Sequence, residues 1–555
     1  MPQSPDSKKG RVAGDSGYGM SYHLVVTTKL RVPVLISGAG AGGLATSALL
    51  GQHRVRSLLV EKRREVFLYP KARNLSFRSL EILRGLGLSD EVHAVAEHVS
   101  ELVTKPTLNS AEEAPAIDLD AIFAGLDTLS PEPAVQYCPQ SKSEPILLNA
   151  TRRHGGEVRY GTELSSFESD ETGVTAVIRD RDSGESETVR ADYLVAADGV
   201  HSPIRNALGI ATSGYGALPI FVVFIYFRAP WRKFVAHLND GDGVQVKNVD
   251  AQGIFIPAEG DLGMFITTYF PGKGETADQF TPQRCREVLT KAIGEQIDID
   301  IIEVAAWQPY EQVAEQFQCG RVFLVGDSAH TMPPFKAGGA NTAIQSAHNL
   351  AWKLAAVLQG SAKPSLLATY QAERHPVGRF AARQSLSGPT IPLLRLDDDR
   401  PFLPPEEECS MFALLVGYRY HSAAVVTDEH ATDDPDVQEV VEELRGQPGT
   451  RVPHAWVVHR GQRVSTLDLV GNGFSLLTGD GGGRWRAAAG SASAALGIPI
   501  AVHRVCSDEW SAVTGLSPTG ALLVRPDDFV GWRADELPAN PETELCQAIS
   551  AIACR

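Results

Sequence analysis

The 555-residue sequence lacks the features of several common classes of protein. Its seven cysteines are widely spaced and form no Cys-x-x-Cys or Cys/His pattern, which predicts neither a bound metal nor a redox disulfide and suits a reducing cytoplasm. No run approaches the roughly 18 apolar residues of a membrane span. Residues 1–30 are rich in Ser, Gly and Lys without the apolar stretch of a signal peptide. We expect a cytoplasmic protein with no membrane partner and a disordered leader over 1–30.

The balance of charge also excludes a class of partner. The net charge of −16 leaves no basic surface of the kind that nucleic acid binding requires. No Ser/His/Asp or paired-carboxylate arrangement stands out, and no internal repeat is present. The length predicts two or three packed units. We therefore expect a small-molecule partner, and the sequence leaves a homo-oligomer open.

A βαβ unit begins the folded part of the chain. The apolar run Val32 to Ser37 predicts a buried strand, Gly43 to Gly51 a helix, and Ser57 to Val60 a second strand. The turn between the first strand and the helix is therefore placed where a dinucleotide binds in this type of unit.

Glycines occupy the three fixed positions of that turn. Gly38 would make the tight turn, Gly40 would let a pyrophosphate approach the backbone, and Gly43 would let the helix pack on the strand. Glu61 closes the second strand, where a carboxylate can accept hydrogen bonds from ribose hydroxyls. Taken alone, this site fits either NAD or FAD.

Two later strands each deliver an acid to a carboxyl end. The run from Tyr193 ends in Asp198, and the run from Arg321 ends in Asp327. Asp327 can bond a sugar-alcohol chain, which FAD has and NAD lacks. The loop 333–341 then leads into a long helix whose free N–H groups and dipole would face the pyrimidine edge of a flavin. These features favour FAD.

Three runs in a fixed order carry a family resemblance. GAGAGG, AADGVHSPIR and GRVFLVGDSAHTMPPFKAGGANTAIQSAHNLAWKL resemble the fingerprint of the group A flavoprotein aromatic hydroxylases, the p-hydroxybenzoate hydroxylase fold, over about 32–380. Further runs that begin at Tyr69, Ser143, Gly417 and Arg463 are similar to actinobacterial aromatic-polyketide hydroxylases such as aklavinone hydroxylase.

The resemblance implies an α/β fold made of three parts. The expected parts are an FAD-binding Rossmann-like domain over 31–210 and 306–395, an inserted β-sheet substrate domain over 211–305, and a thioredoxin-like domain over 448–555 that lacks the redox cysteines. The stretch 396–447, rich in Pro and acid near 397–408, is expected to connect them.

The resemblance also assigns cofactor contacts residue by residue. The expected contacts are Gly38, Gly40, Gly43, Glu61 and Lys62 or Arg63 for the ADP half, Gln140 for the flavin side chain, Arg73 between pyrophosphate and nicotinamide, Asp198 and Asp327 as the motif acids, and Pro333, Gly338, Gly339 and Asn341 beside the flavin ring.

The reaction implied by the family is aromatic hydroxylation. NAD(P)H would reduce bound FAD, dioxygen would form a flavin C4a-hydroperoxide, and one oxygen atom would pass to an electron-rich, phenolic ring, expected to be a natural-product or polyketide intermediate. The run 335–339 is nearer the phenol-hydroxylase version than the Thr-Gly-Gly-Met-like run of the polyketide group, which leaves the substrate open.

Two alternatives remain. The same scaffold could carry out a Baeyer–Villiger or oxidative-decarboxylation reaction, and a protein of another class, a flavin-binding regulator or interaction protein, could keep the same motifs. A halogenase is not favoured, because no Trp-x-Trp-x-Ile-Pro run is present.

The sequence offers only candidates for a proton-transfer group. Tyr226, His237 and Tyr269 fall in the expected substrate sheet, although packing or surface roles are the commoner reading of such residues. Arg374 is a further candidate, but we expect Glu373 and Arg374 first of all to form a buried pair. For His330 we expect a structural hydrogen bond near the flavin.

Overall fold

The computed structural model describes residues 30–66, 72–97, 99, 102–117, 122–239, 241–248, 250–336, 338–386, 408–427 and 438–555. The expected leader lies outside the described residues except for Leu30. Much of the expected connection over 396–447 and the start of the run at Tyr69 also lie outside them.

The strands and helices have the following bounds. The strands are β1 (Leu30–Ser37), β2 (Ser57–Glu61), β3 (Asn74–Ser76), β4 (Leu102–Lys105), β5 (Ala114–Ile117), β6 (Val135–Tyr137), β7 (Glu157–Tyr160), β8 (Thr162–Asp170), β9 (Gly173–Asp180), β10 (Ser186–Ala196), β11 (Thr212–Ala217), β12 (Phe221–Arg228), β13 (Gly243–Val246), β14 (Gly253–Pro257), β15 (Leu262–Tyr269), β16 (Asp300–Trp307), β17 (Tyr310–Ala314), β18 (Gln318–Cys319), β19 (Val322–Leu324), β20 (His330–Thr331), β21 (Trp456–His459), β22 (Gln462–Ser465), β23 (Phe474–Thr478), β24 (Ile500–Arg504), β25 (Ala521–Val524) and β26 (Val530–Ala534). The α-helices are α1 (Ala41–Gln52), α2 (Phe77–Gly85), α3 (Ser89–Val95), α4 (Gln140–Arg153), α5 (Pro203–Ala207), α6 (Pro282–Ile293), α7 (Gly338–Leu358), α8 (Ala368–Gln384), α9 (Met411–Leu415), α10 (Gly483–Leu496), α11 (Asp508–Thr514) and α12 (Pro541–Ile552).

The first sheet forms the centre of the molecule. Its main order is β18-β19-β10-β1-β2-β7, and β1 runs parallel to both β10 and β2. The middle of β1, Val34-Leu35-Ile36, is fully buried, as expected for a parallel strand covered on both faces. The carboxyl ends of β1, β10 and β19 meet at one edge, which brings together the turns that follow them.

A second sheet has seven strands in the order β16-β12-β15-β14-β13-β4-β5. Two of these strands, β4 and β5, come from 102–117, which the sequence analysis placed in the cofactor domain; β4 joins by parallel pairing with β13. No local pattern in the sequence indicated this pairing. The domain boundaries themselves stay a prediction.

The two faces of the second sheet have different surroundings. One face packs on α6 through a cluster that includes Val223, Ile225 and Phe227. We call the opposite side the inner face; its cluster contains Val222, Phe224, Tyr226, Ile254, Ile256 and Met264, with Leu102, Ile266 and Trp307 packed against it. Successive residues of β12 alternate between the two clusters, as side chains of a strand must.

A small third sheet, β11-β17-β20, connects the second sheet to the first. Strand β17 begins soon after Trp307 ends β16, and it pairs with β20 directly before the loop that opens α7.

The C-terminal sheet has the order β24-β23-β25-β26, with β23 and β24 parallel and the other pairs antiparallel. The succession β-α-β-α-β-β-α from β23 to α12 gives the thioredoxin-like arrangement. This sheet packs on α7, where Trp352 meets Phe474 edge to face at 6.2 Å between ring centroids. None of the described helices is long and apolar enough to cross a lipid bilayer.

Candidate active site

The turn between β1 and α1 has the geometry of a pyrophosphate cradle. Gly38 adopts φ +108°, and a Cβ added there would lie 2.1 Å from the carbonyl oxygen of Ala197. A Cβ at Gly43 would lie 1.9 Å from the carbonyl oxygen of Gly38. A Cβ at Gly40 would meet no protein atom within 4 Å. Two glycines thus allow close packing, and the third keeps the backbone open towards the helix N-terminus, which fits an approaching anion.

Glu61 is buried at the end of β2 and is fixed by this turn. Its Oε2 accepts a hydrogen bond from the Ala39 N–H at 2.7 Å, and its Oε1 accepts from the backbone N–H and Nε of Arg63 at 2.9 and 3.0 Å. Burial opposes ionisation, but these hydrogen bonds hold the pKa of Glu61 below its ordinary value. A fixed carboxylate beside the turn can accept further hydrogen bonds from a ribose, whereas the side chain of Lys62 is exposed.

The two motif acids have different surroundings. Asp198 accepts hydrogen bonds from Ser202 Oγ at 2.6 Å and from the Ile204 N–H at 3.0 Å, so it holds the start of α5. Burial is the main reason that the pKa of Asp198 lies above its ordinary value. Asp327 is exposed although its neighbours on both sides are buried. Of the two residues, Asp327 is the more exposed, at the carboxyl end of β19.

The start of α7 is hydrogen-bonded to the region of β3. Asn341 is buried, with its Oδ1 accepting from the Ser76 N–H at 2.9 Å and its Nδ2 donating to the Asn74 carbonyl at 3.0 Å. It therefore positions α7 against β3. Pro333 is buried, and a Cβ at Gly338 would lie 2.6 Å from the Met332 sulfur, so the loop before α7 is closely packed.

Gln140 begins α4 beside the same region. Its backbone N–H donates to the Ala72 carbonyl at 2.7 Å, and its Nε2 donates to Glu144 Oε1. A pocket bounded by Ala72, Gln140 and Ala340 also touches Ala41, the first residue of α1. Of the residues expected to contact the cofactor, Gln140 lines this pocket, which lies between the starts of α1, α4 and α7.

Arg73 joins this region to the second sheet. Its Nη2 donates to Glu97 Oε2 at 2.8 Å and to the Gly241 carbonyl, just before β13, at 3.2 Å. The side chain is 13% exposed, and its Nε has no hydrogen-bond partner among the described residues. A guanidinium held here can face a bound anion.

The proton-transfer candidates of the second sheet do not lie together. Tyr226 lies on the inner face. Tyr269 lies on the opposite face, where it stacks on Phe221 at 4.8 Å between ring centroids. His237 is exposed, and its Nε2 contacts Glu113 Oε2 at 3.0 Å. Strand alternation sends Tyr226 and Tyr269 to different sides of the sheet, so the three candidates do not share one wall.

Glu373 and Arg374 do not form the expected pair. Glu373 bonds Arg525 and Lys353, whereas Arg374 donates to Ser346 Oγ at 3.1 Å and to Tyr420 Oη at 2.9 Å. Consecutive residues of a helix project about 100° apart, so each finds its own partners. Arg374 is fully buried in this network.

His330 makes the expected structural hydrogen bond. Its Nε2 lies 3.1 Å from Ser346 Oγ, and the side chain is fully buried. Burial, reinforced by the charge of Arg374, lowers the pKa of His330 to about 3. The imidazole is therefore neutral at physiological pH.

Sequence reasoning missed two contacts that order the site. Arg205 Nη1 donates to the Ser328 carbonyl at 3.0 Å and so ties the Asp198 loop to the Asp327 turn. Glu97 orients Arg73 from 24 residues away. Neither contact leaves a local pattern. Within the described ranges, no group of three or more His, Cys, Asp or Glu side chains is arranged to hold a metal ion.

Comparisons with protein families match two regions of the chain. The FAD binding domain family matches residues 31–385, and the family described as aromatic-ring hydroxylase, C-terminal, matches residues 445–554. Together they cover the first, second and third sheets and the C-terminal sheet. The α/β fold class, with an FAD-binding domain and a C-terminal domain, is thereby confirmed.

Individual proteins give the same result. Tetracenomycin A2 monooxygenase-dioxygenase of Streptomyces glaucescens is 37% identical, over 94% of this chain and 97% of that protein. 4-Methyl-5-nitrocatechol 5-monooxygenase of a Burkholderia species is 36% identical, over 97% of this chain and 100% of that protein. The crystal structure of aklavinone-11 hydroxylase in a ternary complex with FAD and aklavinone superposes with a TM-score of 0.85 at 33% identity, covering 94% of this chain and 99% of that one.

Proposed function

Because the chain belongs to the family of FAD-dependent aromatic-ring hydroxylases, which includes the aromatic-polyketide hydroxylases, we propose that it hydroxylates a phenolic ring system with NAD(P)H and O2 as co-substrates. In the net reaction the ring carbon exchanges a C–H bond for a C–O bond. The second oxygen atom leaves as water, and NAD(P)H with one proton becomes NAD(P)+. The substrate we favour is a polyketide-derived phenol, as the names of the relatives indicate.

One observation carries the proposal: an apolar, aromatic sheet face adjoins the FAD-binding turns. The inner face presents Phe224, Tyr226 and Trp307, and Arg73 joins the start of β13 to the cofactor region at 3.2 Å. An aromatic ring gains from stacking and burial against such a surface. The face can therefore hold a flat ring system near the cofactor while excluding water.

The residues present fit FAD. Gly38, Gly40 and Gly43 provide the close backbone approach, Glu61 the ribose contact, and Asp327 an exposed carboxylate for the sugar-alcohol chain. When bound, FAD supplies the redox chemistry that activates O2 for transfer of one oxygen atom.

The protein's own contribution is position and charge. The N-terminus of α7 would direct backbone N–H groups and the positive end of its dipole to the flavin ring edge, which favours negative charge there. Arg73, held by Glu97, provides a cation between the expected pyrophosphate and nicotinamide positions. On the inner face, Tyr226 would contact the phenol and exchange its proton.

A turnover experiment tests the proposal. The FAD-loaded protein should oxidise NAD(P)H faster when a phenolic polyketide is added, and mass spectrometry should find one oxygen atom from isotopically labelled O2 on an intact ring. Ring expansion or loss of carbon dioxide would instead indicate Baeyer–Villiger or decarboxylating chemistry. A protein that binds FAD but shows no substrate-stimulated turnover would indicate a flavin-binding regulator or interaction protein.

A further inference from the structure

The inner face contains one polar pair in an apolar setting. Gln245 of β13 is 8% exposed, and the Thr104 hydroxyl of β4 donates to its Oε1 at 2.9 Å. The two residues are directly paired across the parallel strands. Because the hydroxyl occupies Oε1, the amide group is fixed with Nε2 pointing away from β4.

The position of Gln245 on the sheet is defined by strand register. It pairs with Ile254, which pairs with Ile266, which pairs with Phe224. Three of these four residues belong to the inner-face cluster or pack against it, so Gln245 lies at one end of a cross-strand row on that face. Three strand spacings of about 4.8 Å separate it from Phe224 by about 14 Å. The row is long enough for several fused rings.

The amide nitrogen Nε2 of Gln245 has no hydrogen-bond acceptor in the described part of the chain. Its Oε1 has Thr104, but no hydrogen bond from Nε2 is found. An amide nitrogen carries two donors, and a donor on an apolar surface costs free energy unless a ligand or water accepts from it. A ring system on this face would bring such an acceptor if it carries a carbonyl or phenolate oxygen.

The same end of the sheet contacts the cofactor region. Gly243, two residues before Gln245 on the same face, directly follows the stretch whose Gly241 carbonyl accepts from Arg73. A Cβ at Gly243 would lie 2.7 Å from Leu102 and 3.2 Å from Ile256, both of the inner face. Glycine at this position allows Leu102 and Ile256 to pack closely, and Gln245 is then the first polar side chain of β13 on the inner face.

We propose that Gln245, oriented by Thr104, is a specificity-determining residue whose amide donates a hydrogen bond to a ring carbonyl of the substrate, so that the site prefers a fused quinone or ketone to the corresponding hydrocarbon. This rests on the proposed function, since it requires the ring system to lie on the inner face. It adds a substrate feature, the carbonyl, that the cofactor residues do not specify.

Ligand binding to the FAD-loaded protein tests the assignment without turnover. A dihydroxyanthraquinone and the dihydroxyanthracene with the same hydroxyl positions are titrated, and binding is followed by the change in flavin absorbance. The wild type should bind the quinone about tenfold more tightly, and Gln245→Leu should bind the two compounds about equally. Thr104→Val should remove about half of the preference, measured as the difference in log Kd between the two compounds, because the amide keeps its donor but loses its orientation.

The matched control is Gln283→Leu, which removes an exposed glutamine of α6 on the other side of the sheet. It should keep the wild-type preference, and all variants should keep wild-type FAD content and melting temperature. If Gln245→Leu still prefers the quinone, or if the wild type has no preference, the assignment is overturned. A preserved preference in a protein that hydroxylates no phenol would instead overturn the proposed function and support the carbonyl contact.

Discussion

Arg525 and Glu373 form a bidentate ion pair in the interior of the protein, with Nη1 2.6 Å from Oε1 and Nη2 2.9 Å from Oε2. Both side chains are fully buried. Arg525 directly follows β25, and Glu373 lies on α8, so the pair joins the C-terminal sheet to the FAD-binding domain. Lys353 of α7 and Asp527 complete the cluster at 2.7 and 2.5 Å.

Breaking this pair is expected to destabilise the whole protein. Arg525→Met leaves Glu373 and Asp527 buried without their guanidinium partner, which should lower the free energy of unfolding by about 3–5 kcal/mol. Chemical denaturation followed by tryptophan fluorescence measures the change.

Lys291→Met is the matched control for this variant. It removes one partner of an exposed pair, in which Lys291 Nζ lies 3.0 Å from Asp250, and should cost less than about 1 kcal/mol. Equal losses in the two variants would show that the buried pair does not couple the domains.

The loss of protein stability at acidic pH should arise in part from His330. Burial lowers its pKa from 6.5 to about 3 in the folded protein, whereas the unfolded chain binds the proton near the ordinary value. The neutral form therefore stabilises the fold fully above about pH 6.5, and this contribution falls as the pH drops towards 3. Each pH unit in that window should cost about 1.4 kcal/mol for this one group.

His330→Gln tests the contribution through a slope. The free energy of unfolding of the variant, measured between pH 6.5 and pH 5, should fall less steeply with decreasing pH than that of the wild type. The two slopes should differ by the uptake of about one proton on unfolding, or about 1.4 kcal/mol per pH unit. His154→Gln, at an exposed histidine, should leave the slope unchanged. A wild-type slope in His330→Gln would show that this imidazole is protonated in the folded state.

The elements that local patterns specify were predictable from the sequence. The βαβ unit occurs where its apolar runs place it, as β1, α1 and β2, because periodicity and turn glycines act over a few residues. The three glycines of the turn follow from the same local rules.

Contacts between distant parts of the chain were not predictable in this way. Arg525 and Glu373 are 152 positions apart, and Asn341 and Asn74 are 267 apart. The side of the sheet that holds Tyr226 depends on strand register, which turns and packing decide outside the strand itself. A short sequence run such as Glu373-Arg374 indicates that both residues are buried, but not which partners they meet.

Substitutions in the pyrophosphate turn should separate effects on folding from effects on cofactor binding. Gly43→Ala places a methyl group 1.9 Å from a backbone carbonyl oxygen, so it should lower the melting temperature and abolish FAD binding together. Gly40→Ala meets no protein atom within 4 Å. It should keep the melting temperature of the FAD-free protein while weakening FAD binding at least about tenfold, because the methyl group occupies the approach to the helix N-terminus.

Flavin fluorescence titration and thermal unfolding measure the two effects. Gly85→Ala, where an added Cβ also meets nothing within 4 Å, lies at the end of α2 and should change neither quantity. FAD affinity in Gly40→Ala equal to that of the wild type would contradict the placement of the pyrophosphate at this turn.

The two faces of the second sheet should respond differently to loss of a tyrosine hydroxyl. Tyr226 lies on the inner face and Tyr269 on the α6 face, stacked on Phe221. Tyr226→Phe removes one hydroxyl beside the proposed substrate and should reduce kcat/KM for hydroxylation about tenfold, with more NAD(P)H oxidised per product formed. Tyr269→Phe keeps the stacked ring and should change kcat/KM less than twofold.

Both variants should keep the wild-type FAD content, so that a difference between them reports on the face and not on folding. If Tyr269→Phe impairs hydroxylation and Tyr226→Phe does not, the substrate lies on the α6 side, and the assignment of the inner face to the active site is wrong.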